Sequence, residues 1–397
     1  MKMNQRYVLN RILLLSGWMV LLLGLSAPTA FAEGDDWAPK SLPSKMKKLL
    51  YGSPEDVLKK KACVGRRRVT QKCRDKLHYV HTNELYHNAY LKYLNNRGGA
   101  YIGVGSDQNL TFIAWAKSRF AFLMDYDPVV VWVNMINRAL ILASPTKEDF
   151  IALWETKNWK KAWKILRKEY KGHKDLKMIV QSHKQFAYRL RFHYLKRVKR
   201  WRKTWVPVDY SWLHTDKDYG YIRKMFQTNR IRVMKGDLLL NKSLRGIGNV
   251  CRKAGIPVRV VYLSNAEQFW HYPGHFRKNF RNLPVDGKSI LIRSIFTKAY
   301  GAPLDRSWIY VVHALKHFQE QLGKKKMYSV YKMMRFRKWV SPGLFAIDVP
   351  KMKPKYVPAK ARKAHEAWLK KRKQKWAKRR KRRKRRRRAR RRRRRSR

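Results

Sequence analysis

The chain has 397 residues and sets 95 Lys plus Arg against 25 Asp plus Glu, a formal net charge of +70 at pH 7. With 15 Trp, 21 Tyr and 44% hydrophobic residues, the composition excludes a wholly disordered polymer and demands a large packed core. A folded body this basic repels itself, which makes an acidic partner the expectation, the alternative being background charge that only keeps the protein soluble.

In chain order, Lys2, Arg6 and Arg11 precede an apolar run of 14 residues, 12–25, and the small-residue pattern at Ala30 and Ala32. The run falls short of the ~20 residues that span a bilayer, and the whole reads as a secretory signal cleaved after Ala32. The mature chain is then expected in the periplasm, on the envelope or outside the cell. Residues 33–77 are basic and punctuated by proline, a leader or small cap. Cys63 and Cys73 bracket the loop "VGRRRVTQK". In an oxidising compartment a disulfide between them and a pair of free thiols both stay open.

From His78 the text becomes globular. "TNELYHNAYLKYLNN" places Leu85, Ala89 and Tyr93 at helical spacing and stops at Gly98 and Gly99. "AYIGV" then reads as a strand, "SDQNLTFIAWAKS" as a helix capped by Ser106 or Asp107, and "FAFLMD" as a second strand. Strand, glycine turn, helix, strand is a βαβ unit, so the sheet is parallel. "VVVWVNMINRALILA" follows as a buried helix.

Residues 146–205 read as a helical insertion or lid. Between 154 and 203 stand 18 basic and three acidic residues, so one face is dense in positive charge. The aromatic stripe of Trp154, Trp159, Trp163, Phe186, Tyr188, Phe192 and Tyr194 is expected to be packing, because it recurs at helical spacing. A second alternation follows: "IRVMKGDLLL" as a strand ending near Asp237, "NKSLRGIGNVCRKAG" as a helix capped by Asn241 and stopped by Gly255, and "PVRVVYLSN" as a strand. "AEQFW" begins a helix, and "KSILIRS" and "WIYVVHAL" supply more strands. The fold class is therefore α/β, an open, mostly parallel sheet. Cys251 sits on the apolar face of its helix, where a buried inert thiol is expected.

Residues 351–397 hold 29 Lys plus Arg and one acid, Glu366, without apolar periodicity. Such a tail is expected to be disordered until a polyanion neutralises it. It carries +28 and the first 32 residues +3, which leaves +39 on residues 33–350. An acidic partner is therefore expected for the body as well as for the tail. Lipopolysaccharide, acidic polysaccharide and nucleic acid all have the required chemistry.

In open α/β sheets, ligands bind beyond the carboxyl ends of the strands, where strand order reverses. The polar residues expected there are Gly103, Gly105, Ser106, Asp107, Gln108 and Asn109 after the first strand, and Asp125 and Asp127 after the second. Asp237 follows the third, and Asn265 and Glu267 follow the fourth. Gly103 and Gly105 permit a tight turn, and the next helix N-terminus favours an anionic or polar group. Asp125 lies about 20 residues past the turn, where dinucleotide folds set an acid on ribose hydroxyls. The dinucleotide fingerprint itself is broken, because Gln108 occupies its third glycine.

The run "GGAYIGVGSDQN…LMDYDP", with "KGDLLLNKSLRGIG" and "YLSNAEQF…FRKNFRNLPVDGKSILIRS", resembles an uncharacterised bacterial family typified by a leptospiral protein with the fold of S-adenosylmethionine-dependent methyltransferases. The similarity covers roughly residues 80–315, and "TNE", residues 82–84, also matches and stands as a candidate to reach the same pocket. The resemblance implies a Rossmann-like sheet with the Gly103 to Asn109 turn and Asp125 at its pocket, and S-adenosylmethionine as the cofactor of the fold, but no activity. Neither a serine–histidine–acid order, a zinc spacing nor a phosphate loop assigns a reaction. The expectation is an exported protein with a small-ligand pocket, held on an acidic polymer. A polyanion-binding protein on an inert scaffold, and a methyltransferase if the chain is not exported, are the alternatives.

Overall fold

The computed structural model describes residues 39–58, 78–198, 211–297, 300, 308–353, 359 and 362–378. The expected signal at 1–32, Cys63 and Cys73, and the last residues of the arginine block lie outside the described residues.

Eight strands form one sheet: β1 (Ala100–Val104), β2 (Phe120–Asp125), β3 (Ile231–Lys235), β4 (Val258–Tyr262), β5 (Ile290–Phe296), β6 (Trp308–Ala314), β7 (Lys338–Ser341) and β8 (Leu344–Ile347). Their order is β3-β2-β1-β4-β5-β6-β8-β7. Strands β3 to β5 in that order run parallel, with Ala100 of β1 facing Phe120 of β2 and Val258 of β4. β6 is antiparallel to β5, β8 parallel to β6, and β7 antiparallel to β8. The chain steps outward from β1 to β3, then returns to the other side of β1 for β4. That reversal opens a crevice at the carboxyl ends of β1 and β4.

The central strands are apolar on both faces, as helices on each side require. All nine residues of α2 are buried, α1 being Ser44–Tyr51 and α2 Gln108–Ala116. A helix apolar all round is a core helix. Next, α3 (Pro128–Leu142) starts with Pro128 at its first position and Asp127 as cap, whose carboxylate accepts from Val129 N at 3.0 Å. Then α4 (Lys147–Ala152), α5 (Trp159–Glu169) and α6 (Leu176–Val198) occupy the stretch expected to be helical. They are followed by α7 (Asp216–Gln227), α8 (Ser243–Lys253), α9 (Gly274–Arg281) and α10 (Leu315–Leu322).

Several details differ from the sequence reading. Neither Ser106 nor Asp107 caps α2 with its side chain, because Asp107 is turned to His193 instead. Asn241 does not cap α8; Asp56, from the leader, accepts from Lys242 N at 3.0 Å and from the Ser243 hydroxyl. Residues 39–58 of the leader are thus part of the domain, with Arg230 donating to Lys40 O and Tyr51 to Ile231 O. β3 ends at Lys235, so Asp237 lies in the loop beyond it. The short hairpin of β7 and β8 was not expected. Within the tail expected to be disordered, 362–378 is helical, and His365 stacks on Trp339 of β7 at 5.3 Å. The aromatic stripe divides: Trp154, Phe186 and Tyr194 are buried, whereas Tyr188 and Phe192 face solvent. Cys251 is buried, and burial pushes its thiol up to about 12. Among the described residues no helix is long and apolar enough to cross a membrane.

Candidate functional site

A cleft of about 420 Å³ opens over the reversal between β1 and β4. Gly105, Ser106 and Gln108 line it from the turn after β1, Asp125 and Asp127 from the end of β2, and Asp237 from the loop after β3. Asn265, beyond β4, closes the ring. Seven of the eleven expected site residues are therefore brought together by four separate strand ends.

The other four serve the frame. A Cβ on Gly103 would overlap the Asn109 side chain, so β1 and α2 meet only because residue 103 is glycine. Asn109 accepts from the Tyr101 hydroxyl at 2.6 Å and donates to Ser106 O at 2.8 Å, which locks the turn. Glu267 is buried in an ion pair with Arg293 at 2.9 Å and accepts from Tyr272 at 2.7 Å. Asp107 is buried 2.8 Å from His193 Nε2 of α6. Burial alone would raise its carboxyl, but His193, Arg197 and His81 together hold it below the ordinary value. His193 is itself kept neutral by burial, so its Nε2–H donates to an ionised Asp107.

The glycine turn works in an unexpected way. Gly105 has φ +92, which favours glycine, and its N–H donates to Asp125 Oδ2 at 2.9 Å. The other Asp125 oxygen accepts from Asp127 N at 2.8 Å. The amide expected to meet an anion thus already meets a carboxylate of the chain. Asp127 binds His78 Nδ1 at 2.7 Å, and Asp237 accepts from Leu239 N at 2.9 Å. Among the described residues three aspartates and no Lys or Arg line the cleft. In a chain of +70 this is a local inversion of charge.

Sequence reasoning set only the "TNE" element within reach of this pocket and missed the rest of the rim and walls. Thr82 and Asn83 of the "TNE" element line the cleft, while Glu84 lies beneath and accepts from Tyr262, Ser264 and Ser294 hydroxyls at 2.9, 2.9 and 2.6 Å. Tyr79 and His81 come from the same segment, and Phe269, Trp270 and Trp308 supply aromatic walls. Nothing in local spacing marks these, because they converge from distant elements. His81 stacks on His193 at 4.5 Å and accepts from Arg189 Nε at 2.8 Å. Burial, with His193 beside it, pulls His81 down to about 4.

Two polar atoms of the walls have no hydrogen-bond partner among the described residues: Gln108 Oε1 and Trp270 Nε1. Gln108 is only 4% exposed, so its unpaired oxygen costs stability unless a ligand donates to it. Apolar walls with a few convergent polar atoms are the ordinary make-up of a small-molecule site. No cluster of three His, Cys, Asp or Glu able to hold a metal occurs among the described residues.

A search of curated proteins finds no match to this sequence. A family model described as a domain of unknown function, DUF7790, matches residues 79–348, a stretch that includes all eight strands and every residue of the cleft. The chain belongs to that family.

Proposed function

We propose that this chain is an exported protein that binds a nucleoside-type small molecule on a Rossmann-like, methyltransferase-like sheet, while its basic body and tail hold it on an acidic polymer. The observation that carries the reading is the cleft over the β1–β4 reversal, with Asp125 at the end of β2. The order β3-β2-β1-β4-β5 is the doubly wound pattern, and ligands of such sheets sit at this point. A carboxylate there can accept from ribose hydroxyls, and the aromatic walls offer a face for a base.

The ligand this chemistry favours carries no phosphate. A phosphate at the turn would meet Asp125, Asp127 and Asp237 and no cation among the described lining residues, and the Gly105 amide is already engaged. S-adenosylmethionine, implied by the resemblance, fits: it has a ribose for Asp125, hydrogen-bond donors for Gln108 and a net positive charge, its sulfonium and ammonium outweighing its carboxylate. Bound there it would supply a methyl group, and the residues of the cleft would bind and orient it. An export signal directs the chain away from where that cofactor is made, so nucleosides and sugars stand beside it in the test.

That test is a thermal-shift titration of the protein with S-adenosylmethionine, adenosine, adenosine monophosphate and a set of sugars. A saturable upward shift with the first or second, absent in Asp125→Ala, is expected. No shift with any of them would sink the small-ligand reading.

The second reading, a polyanion-binding protein on an inert sheet, is favoured by the charge of +39 on residues 33–350. Binding to an acidic polymer should then weaken steeply with salt, and removal of 351–397 should flatten the slope. A methyltransferase acting inside the cell is the reading left if the signal at 1–32 is retained and inactive.

A further inference from the structure

We propose that the outer face of α6 is a track for single-stranded nucleic acid that leads to the rim of the cleft. The proposal rests on the polyanion half of the reading above and names the surface and the polymer.

α6 contains no acidic residue over its 23 positions. Its inner face, with Ile179, His183, Phe186, Leu190 and Tyr194, is buried. Its outer face presents Lys177, Lys184, Tyr188, Arg189, Phe192 and Lys196 to solvent. Tyr188 is 82% exposed and Phe192 53%, on a helix whose other large aromatic side chains are packed. The two rings stand four residues apart, one helical turn or about 6 Å along the axis. Lys196 Nζ lies 4.1 Å from the centre of the Phe192 ring and flanks it with positive charge. Arg189 donates to His81 Nε2 at 2.8 Å, and His81 is a wall of the cleft. The stripe therefore runs from Lys177 to the cleft rim.

The rings select the polymer. A basic groove interleaved with aromatic faces binds single strands because each base stacks on a ring while the phosphates meet the cations. An acidic polysaccharide would use the lysines and offer the rings only the C–H faces of its sugars, with no flat base to stack. A duplex keeps its bases stacked on one another and offers the rings nothing.

The experiment measures anisotropy of labelled oligo(dT), and competition by polygalacturonate and by duplex DNA, with the full chain and with the double variant Tyr188→Ala, Phe192→Ala. Circular dichroism checks that the variant is folded, which the exposure of both rings favours. The tail binds every polyanion, so the ratio between polymers is the readout. The variant is expected to lose roughly tenfold in oligo(dT) affinity per ring removed, with an unchanged salt slope and polygalacturonate binding within about twofold of the parent. Unchanged oligo(dT) affinity overturns the track while leaving the polyanion reading in place. An equal loss for both polymers overturns it in favour of a polysaccharide surface. If the parent binds neither polymer, the polyanion reading falls and the track with it.

Discussion

The cleft and the outer face of α6 meet at His81, yet they carry opposite charge. Among the described residues three aspartates and no Lys or Arg line the first, whereas the second is a helix without a single acid. The difference lies in what the acids do. Asp125, Asp127 and Asp237 each accept a backbone N–H at a strand end or helix start, so the few carboxylates of this sequence are placed where the backbone needs acceptors. Among the described residues, Lys177 and Lys184 of the outer face of α6 have no such duty, unlike Arg230 and Arg277, which donate to backbone carbonyls elsewhere in the domain. A cleft of inverted charge follows from the geometry of the turns.

The comparison can be broken most severely from beneath the cleft. Glu267→Ala should leave Arg293 buried without its carboxylate and cost about 3–5 kcal/mol, read as a large drop in the denaturation midpoint. A loss below about 1 kcal/mol would mean that the ion pair is not what holds the 266–269 turn against β5.

Acid strikes the other side. His183, buried on the inner face of α6, accepts from Trp163 Nε1 at Nδ1 and donates to Leu153 O, so its ring must be neutral. Burial lowers it to about 4. Between pH 6.5 and about 4 the unfolded chain binds a proton that the folded chain does not, so stability falls as pH falls through this window and levels off below it. The contribution of His183 is about 3 kcal/mol. Its replacement by Gln should flatten that part of a pH–stability profile, and an unaltered profile would show that His183 does not control it.

Within the cleft, Asp125→Ala should remove the acceptor of two backbone amides. The expected loss is about 1–3 kcal/mol of stability, together with any ligand-induced thermal shift. Gly103→Ala tests the frame instead of the ligand: its methyl would displace Asn109, and the turn should loosen with a measurable fall in the midpoint. The smallest effect belongs to the outer face of α6. Tyr188→Ala should change stability by no more than about 0.5 kcal/mol, because the ring is 82% exposed. A larger loss would assign the ring to packing after all.

The central elements were legible because local pattern and burial agree there. "AYIGV" and "FAFLMD" are continuous apolar runs, and both are strands buried on two faces. The caps were less legible. Asn241 stands just before α8, but the acceptor that satisfies its first turn is Asp56, far away in sequence. The tail misled in another way, since charge repulsion predicts disorder while 362–378 is helical and stacks His365 on Trp339. The β7–β8 hairpin has only four residues per strand, too few for a periodic signal.

By itself the sequence determined the α/β class, the first βαβ unit, the glycine turn with Asp125 beyond it, and the excess of positive charge, because each is written in neighbouring residues. Only the tertiary structure decided which polar residues share a cleft. It drew Gly105, Asp125, Asp237 and Asn265 together with Tyr79, His81 and Trp270, and turned Asp107 and Glu267 inward to His193 and Arg293. The physical reason is that strand order and burial are settled by contacts across the whole sheet. A carboxylate at a strand end therefore faces a ligand or a buried cation according to what the other strands bring beside it.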